Sequence, residues 1–213
     1  MSLGSAVRRA LGPLEPAAIR VYREMFIDLD SLAVTVGSVA PDAKRILEVG
    51  CGDGAMAAAL RRVLPNATLV GLDPGMAEPG RMYDGDPEGV EFRRITTAEL
   101  IDESPQPFDL VMLCDVVHHV SDGERDAVLR DAAALTAPGG TVAVKEWEHR
   151  GGMGTAVAFV ADRGISGDAG VRFMPRAELD GLLATAMPGW ETTCEARIPP
   201  RRANLLLTLR RPA

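Results

Sequence analysis

The strongest structural signal in this chain is Arg45-Ile46-Leu47-Glu48-Val49-Gly50-Cys51-Gly52-Asp53-Gly54, a short apolar strand pattern that runs into three glycines at alternate positions. The residues that follow, 55–62, have high helix propensity. A strand that turns through glycine into a helix exposes backbone N–H groups beside a helix N-terminus. The pattern therefore predicts a site where a nucleotide-like ligand lies against the main chain.

The spacing of these glycines argues against a dinucleotide site, whose fingerprint is G-x-G-x-x-G. Here the third glycine comes one residue early, and Glu48 lies two residues before the first. A carboxylate at that position would repel a pyrophosphate, whereas it could attract an ammonium or sulfonium group directly or through water. An NAD-dependent dehydrogenase is therefore the weakest of the enzyme classes considered for this pattern.

The segment 48–54 resembles the first motif of the class I S-adenosylmethionine-dependent methyltransferases, of the type that acts on small molecules. Three later segments match the same family in the same order: the strand 67–73 that ends in Asp73, the segment 108–115 in which Phe-Asp leads into a buried strand, and the Pro-Gly-Gly turn 138–140 before a fifth strand. The resemblance covers residues 40–150 well and the rest in outline. It implies an α/β, three-layer Rossmann-like fold with a seven-stranded sheet in the order 3-2-1-4-5-7-6, the last strand antiparallel.

The resemblance also implies S-adenosyl-L-methionine as the cofactor and S-adenosyl-L-homocysteine as its product. Asp73 follows Gly54 by one helix and one strand, and an acid at the end of the second strand can accept hydrogen bonds from both ribose hydroxyls. Asp-Pro-Gly is turn chemistry as well, and both roles can hold together. Relatives place an Asp near the adenine where this chain has Thr96 or Thr97. The predicted cofactor-binding residues are Glu48, Gly50, Cys51, Gly52, Asp73, Pro74, Thr97, Cys114 and Asp115.

Two adjacent histidines, His118 and His119, follow the fourth predicted strand. A histidine, with an unperturbed pKa of about 6.5, can act as a general base, so both are catalytic candidates. Neighbouring side chains on a turn or helix point about 100° apart, so at most one is expected to face the site. The alternative is that one packs against the sheet and the other faces solvent.

Charged residues also follow the fifth strand, at the sheet edge where open α/β folds bind ligands. Together with a tyrosine from the N-terminal helix, they give the predicted substrate contacts Tyr22, His119, Glu146 and His149, although a solvated rim would explain the charges equally well. A metal ion held by His119, Glu146 and His149 is conceivable. No spacing demands one, so no metal is predicted.

A single methyltransferase domain over residues 1–213 is expected, with an N-terminal helical cap at 1–40 and a lid insertion at 150–174. Apolar residues at steps of four and three predict one helix in the cap, ended by Gly37 and Pro41. Ser121-Asp122-Gly123-Glu124 has the spacing of a capping box, which predicts the start of a helix that runs to Leu135. A helix from Pro175 and strands at 190–198 and 203–209 complete the pattern.

A formal net charge of −7 argues against a nucleic-acid partner, because phosphate contacts need clustered Lys and Arg. Three cysteines without metal-ligand spacing favour a reduced, cytoplasmic setting. No apolar run approaches the length of a membrane span, so no membrane partner is expected. The chain is expected to act as a monomer or a homodimer on a small-molecule substrate.

These observations predict a transferase that moves a methyl group from S-adenosylmethionine to a small-molecule acceptor, an oxygen nucleophile being the first choice. The absence of an Asn-Pro-Pro-Tyr-type motif weakens an exocyclic-amine target. Two alternatives stay open. One is an aminopropyl transferase on the same fold, and the other is a non-catalytic, cofactor-binding partner module, against which the intact acid–glycine–acid set argues.

Overall fold

The computed structural model of this chain describes residues 23–149 and 172–213. The strands in these two ranges are β1 Arg45–Val49, β2 Thr68–Leu72, β3 Val90–Arg93, β4 Phe108–Cys114, β5 Thr136–Trp147, β6 Glu191–Arg197 and β7 Asn204–Arg210. They form one sheet in the order β3-β2-β1-β4-β5-β7-β6. Neighbouring strands from β3 to β5 pair in parallel, whereas β7 is antiparallel to β5 and to β6. The predicted fold is therefore confirmed.

Helices cover both faces of this sheet. They are α1 Leu29–Val39, α2 Ala55–Val63, α3 Thr97–Asp102, α4 Arg125–Leu135 and α5 Arg176–Ala186, and a 3-10 turn spans Val117–His119. Leu32 of α1 and Leu60 of α2 share a buried cluster with Ile46 of β1. On the other face Leu129 of α4 shares a cluster with Leu47 of β1. The result is a helix–sheet–helix sandwich with a core on each side of the sheet. No helix in the described ranges is long and apolar enough to cross a membrane.

The two central strands, β1 and β4, position the site. Both are buried along most of their length, which explains why each reads as an almost continuous apolar run. They pair in parallel with Val49 opposite Leu113, so they end at the same edge of the sheet. Two connections consequently begin side by side: the glycine loop after β1 (residues 50–54) and the histidine turn after β4 (residues 116–119).

The single N-terminal helix predicted from the apolar pattern is interrupted. Residues 23–26 are helical, and α1 then begins anew because Asp28 is its N-cap, accepting the Ser31 N–H at 2.9 Å. Gly37 does not end α1, which continues to Val39. A Cβ on Gly37 would lie 2.5 Å from Cγ1 of Val63. This glycine therefore permits close packing of α1 on α2.

Two further local predictions need correction. Ser121–Glu124 forms a turn, and α4 begins at Arg125 with no side-chain hydrogen bond at its N-cap. The capping box instead lies at Thr96 and Glu99, at the start of α3. The Pro-Gly-Gly segment 138–140 lies within β5, where the pairing with β4 shifts register. The predicted N-terminal cap and lid fall largely on residues 1–22 and 150–171, which lie outside the described residues.

Candidate active site

The glycine loop after β1 is open to a ligand at one position and tightly packed at another. Gly50 and Gly52 have φ of +69° and +52°, in the left-handed region that favours glycine. A Cβ on Gly50 would lie 2.5 Å from Cγ2 of Val116, so the loop rests directly on the chain that follows β4. A Cβ on Gly52 would meet no atom of the described residues within 4 Å. Gly52 thus offers bare backbone to an incoming group.

Asp73, which directly follows β2, ties this loop to the neighbouring turn. Its Oδ2 atom accepts the N–H of Gly52 at 2.9 Å. Its Oδ1 atom accepts the N–H groups of Gly75 and Met76, each at 2.9 Å. The carboxylate is only half-buried and has acceptor capacity beyond these three bonds. Asp73 can therefore stabilise the turn that follows it and still accept hydrogen bonds from ribose hydroxyls, the two roles that the sequence suggested.

Glu48 is a buried acid with an unsatisfied oxygen. Its side chain is 2% exposed, and its Oε2 atom has no hydrogen-bond partner among the described residues. Burial raises the pKa of this carboxyl to about 8, and the negative charges of Asp53 and Asp73 add to the effect. A cation brought by a ligand would satisfy such a group and favour its ionised form. Together with the open Gly52, this fits a ligand that carries an ammonium or sulfonium group.

Asp115 lies at the end of β4 in a conformation that non-glycine residues rarely adopt, with φ of +57°. Its N–H donates to the carbonyl of Lys145 at 2.8 Å, and its Oδ2 atom lies 2.5 Å from Lys145 Nζ. Burial alone would lower the pKa of Lys145, but the nearby negative charges, Asp115 above all, raise it. Burial raises the pKa of Cys114 well above its ordinary value, so its thiol stays neutral.

The most specific arrangement in the site joins His118 to Glu146. Both side chains are 2% exposed, and Nδ1 of His118 lies 2.5 Å from Oε2 of Glu146. The other carboxylate oxygen accepts the N–H groups of Val116 at 3.0 Å and Val117 at 2.7 Å. Burial would raise the pKa of Glu146, but His118, the N–H of Val117 and Lys145 together hold it below its ordinary value. An ionised Glu146 can only accept, so Nδ1 of His118 carries a proton and donates it to the hydrogen bond with Oε2.

No sequence pattern indicated Arg125, which holds the histidine turn in place. This arginine is buried at the start of α4, and its Nε donates to the carbonyls of Val117 at 2.9 Å and Val120 at 3.1 Å. The N–H of Arg172 donates to the carbonyl of His118 at 3.0 Å. The turn that carries His118 is therefore held from two sides, by Arg125 of the helix that follows it and by Arg172, which is distant in the sequence.

The side chains of His118 and His119 do not point in different directions, as the sequence analysis predicted they would; their rings are in contact. The ring centroids of His118 and His119 lie 4.3 Å apart, and Phe173 contacts His118 edge-on at 5.0 Å. Both histidines lie in a three-residue 3-10 turn, so the side-chain spacing of an α-helix does not apply here. His118 is buried and His119 half-buried.

Other predicted site residues are placed less favourably. The hydroxyl of Thr97 donates to Asp131 at 2.6 Å, and Thr96 is committed to the capping box, so neither supports the predicted adenine contact. His149 is exposed, and its N–H donates to the carbonyl of Met174. Pro74 is exposed next to Asp73, and Cys51 is buried beneath the glycine loop. Tyr22 lies outside the described residues.

Glu146 is placed behind the histidine turn. Because both of its oxygens are engaged by the protein, it suits a residue that positions His118 better than the predicted substrate contact. Ligand atoms of Asp115, His118 and Glu146 lie within 4.8 Å of one another. A metal ion there would have to displace the Lys145 ammonium from Asp115 and the N–H donors from Glu146. We therefore interpret this cluster as a hydrogen-bonded network.

Comparison with known proteins identifies the family. A family model described as a methyltransferase domain matches residues 20–190, which is most of the chain. The chain therefore belongs to this methyltransferase-domain family. The membership confirms the predicted enzyme class and agrees with the predicted cofactor, and it does not favour an aminopropyl transferase or a non-catalytic module.

The similarity to individual proteins is more limited. The ubiquinone biosynthesis O-methyltransferase of Pseudomonas syringae pv. tomato is 35% identical over 104 residues, which cover 46% of this chain and 42% of that protein. The match thus spans less than half the length of this curated relative. An O-methyltransferase family protein from Burkholderia thailandensis superimposes with a TM-score of 0.69 at 20% identity, over 85% of this chain and 55% of that chain.

A third similar protein corresponds over nearly its whole length. The 1,6-didemethyltoxoflavin-N1-methyltransferase of Burkholderia thailandensis, solved with 1,6-didemethyltoxoflavin and S-adenosylhomocysteine, gives a TM-score of 0.68 at 17% identity. The match covers 98% of this chain and 88% of that chain. At such identities the two structural likenesses establish the fold.

Proposed function

We propose that this chain transfers a methyl group from S-adenosylmethionine to an oxygen atom of a small-molecule acceptor, with His118 as the general base. One observation carries the proposal, the buried hydrogen bond between His118 and Glu146 at the carboxyl edge of the sheet. The turn that bears it touches the glycine loop, because Val116 packs on Gly50 and its N–H donates to Glu146. The glycine loop and the turn that carries the proposed base are thus packed against each other.

The residues after β1 and β2 fit the proposed cofactor. Glu48 presents a buried carboxyl oxygen with no partner in the described ranges, which suits a cationic group. Gly52 presents open backbone, and Asp73 can accept hydrogen bonds from hydroxyls. The S-adenosylhomocysteine in the structural neighbour supports the same assignment. When bound, S-adenosylmethionine supplies a methyl group that its sulfonium already activates.

The protein must then remove the proton of the acceptor hydroxyl. Nε2 of His118 accepts the proton of the acceptor hydroxyl as the oxygen forms its bond to the methyl carbon and the carbon–sulfur bond breaks. The resulting imidazolium is stabilised by the carboxylate of Glu146, which keeps its own hydrogen bonds throughout. His118 returns the proton to solvent after product release. Holding the reacting groups in line provides most of the remaining acceleration.

An oxygen acceptor is favoured because a neutral hydroxyl needs a base, and the site supplies one. The curated relative is an O-methyltransferase, which supports this choice. One structural neighbour is named as an N1-methyltransferase, so a nitrogen acceptor is the alternative to be tested. A net charge of −7 supports a small molecule over a nucleic acid. Tyr22, His119 and His149 remain proposed contacts to the acceptor.

The proposal is tested with S-adenosylmethionine that carries an isotopic label in its methyl group. The protein is incubated with a panel of phenols, catechols, carboxylic acids and amines, and the labelled products are identified by mass spectrometry and NMR. We expect an O-methylated product from at least one hydroxylated acceptor. Label found only on nitrogen or carbon would refute the oxygen assignment. Failure to bind S-adenosylhomocysteine in calorimetry would refute the cofactor assignment.

A further inference from the structure

Two buried polar atoms at the adjoining ends of β5 and β7 have no hydrogen-bond partner within the described part of the chain. They are Nε1 of Trp147 and Oδ1 of Asn204. Trp147 is 8% exposed and Asn204 is fully buried. The two residues are directly opposite each other in the antiparallel pairing of the strands. Their side chains therefore lie on the same face of the sheet, with Cβ atoms about 5 Å apart.

The orientation of the Asn204 amide is fixed by its second bond. Its Nδ2 atom donates to the carbonyl oxygen of Phe26 at 2.6 Å. A backbone carbonyl can only accept, so the amide nitrogen must face Phe26 and the amide oxygen must face away. The indole N–H of Trp147 is a donor only. The pair consequently offers one donor and one acceptor, which is the complement of a group that both accepts and donates.

Aromatic rings connect this pair to the proposed base. The ring centroid of Trp147 lies 6.1 Å from that of Phe26 and 6.1 Å from that of Phe173. Phe173 in turn contacts His118, with ring centroids 5.0 Å apart. The donor–acceptor pair therefore lies one aromatic ring beyond His118. Leaving a buried donor or acceptor unsatisfied is unfavourable, and a ligand between these two directly paired residues would satisfy both atoms.

We propose that Trp147 and Asn204 form a specificity subsite for the methyl acceptor, one that binds an uncharged group with both an acceptor and a donor, such as a carboxamide. The carbonyl of that group accepts the Trp147 N–H, and its N–H donates to Asn204 Oδ1. A carboxylate fits poorly, because it has no proton for Asn204 and would lose its hydration among aromatic rings. The inference rests on the proposed function, since it assumes that the acceptor lies beside His118.

The test compares two probes that differ only in this group, 3,4-dihydroxybenzamide and 3,4-dihydroxybenzoate. Binding of each is measured by calorimetry with S-adenosylhomocysteine saturating the protein. We expect the amide to bind the unmodified protein about tenfold more tightly, the equivalent of one or two hydrogen bonds. Trp147→Phe and, independently, Asn204→Leu should abolish the preference. Unchanged affinity for S-adenosylhomocysteine shows that each variant is folded.

Phe173→Leu is the matched control. It removes an aromatic wall but neither polar atom, so it should weaken both probes equally and leave the preference intact. Equal affinity of the two probes, preference for the carboxylate, no binding of either probe, or a preference that survives both substitutions would overturn the subsite. Methyl transfer to phenols together with any of these results would leave the proposed function standing. Loss of S-adenosylhomocysteine binding by the unmodified protein would count against the proposed function instead.

Discussion

Nδ1 of His118 lies 2.5 Å from Oε2 of Glu146, and both side chains are almost completely enclosed. The carboxylate is fixed in turn by two backbone N–H groups of the histidine turn itself. Glu146 therefore determines which nitrogen of His118 carries the proton, and it does so from the strand next to the one that leads to the histidine. Such partners typically set the tautomer and basicity of the histidine they hold.

Glu146→Gln is expected to reverse the tautomer of His118. The glutamine oxygen would keep the N–H groups of Val116 and Val117, so its amide group would donate to Nδ1 and leave the proton on Nε2. The proposed base would then be lost, and kcat should fall about 100-fold or more, while the dissociation constant of S-adenosylhomocysteine stays within about twofold. Steady-state kinetics and calorimetry check both. Glu148→Gln, at an acid paired with Arg197, is the control, and equal kcat losses in the two variants would contradict the assignment.

Two glycines of the same loop should respond differently to alanine. At Gly50 the new methyl group would lie 2.5 Å from Val116, so Gly50→Ala should destabilise the fold by about 2–4 kcal/mol through overpacking and backbone strain. At Gly52 the space is open, so the strain costs only about 1–2 kcal/mol, but the methyl group occupies the proposed cofactor position. Urea unfolding and titration with S-adenosylhomocysteine separate the effects. Unaltered cofactor affinity in Gly52→Ala would argue against contact there.

Asp73→Ala should raise the dissociation constant of S-adenosylhomocysteine by about 10- to 100-fold, since the variant loses hydrogen bonds to a charged acceptor. It also frees three backbone N–H groups, so a loss of stability alone could mimic the result. Asp109→Ala is the matched control, because that carboxylate accepts the N–H groups of Lys44 and Arg45 at the opposite end of β1. We expect it to lower stability but leave cofactor affinity unchanged. Similar affinity losses in both variants would contradict the ribose role.

Glu48 should make the stability of the free protein depend on pH. Its pKa is raised from the ordinary value of 4.5 to about 8, so between these values the folded state holds a proton that the unfolded state has released. The contribution of Glu48 to the free energy of unfolding therefore falls as pH rises through this window, by at most about 1.4 kcal/mol per pH unit. Glu48→Gln removes the proton exchange, and its unfolding free energy should decline less steeply between pH 5 and pH 8. Parallel profiles for the two proteins would contradict the raised pKa.

Local sequence was enough to predict the parts of the fold that local chemistry controls. The apolar runs of β1 and β4, the glycine loop and the acid after β2 all carry their signal within a few residues, and the structure has each of them. The position of the capping box was harder to predict, because Ser121 and Thr96 are each followed by a glutamate three residues later. Only Thr96 is followed directly by helical chain, as the start of α3 shows.

The contacts that define the site could not be predicted from local sequence patterns. Glu146 and His118 are 28 residues apart, and Thr97 and Asp131 are 34 apart. Which side chains meet across these distances depends on how β5 and α4 pack, and no local pattern specifies it. The sequence consequently identified residues at the sheet edge, but it could not predict that Glu146 and Thr97 would be hydrogen-bonded within the protein.

The pH dependence of kcat in His118→Asn, measured beside the unmodified protein with an acceptor hydroxyl from the labelling screen, tests the central claim most directly. A protein that relies on His118 as its base should lose about 10²- to 10⁴-fold in kcat on this substitution, together with the acidic limb of its pH profile, while S-adenosylhomocysteine binds as before. His119→Asn should retain that limb. A His118→Asn variant that keeps both the rate and the pH profile of the unmodified protein would contradict the assignment.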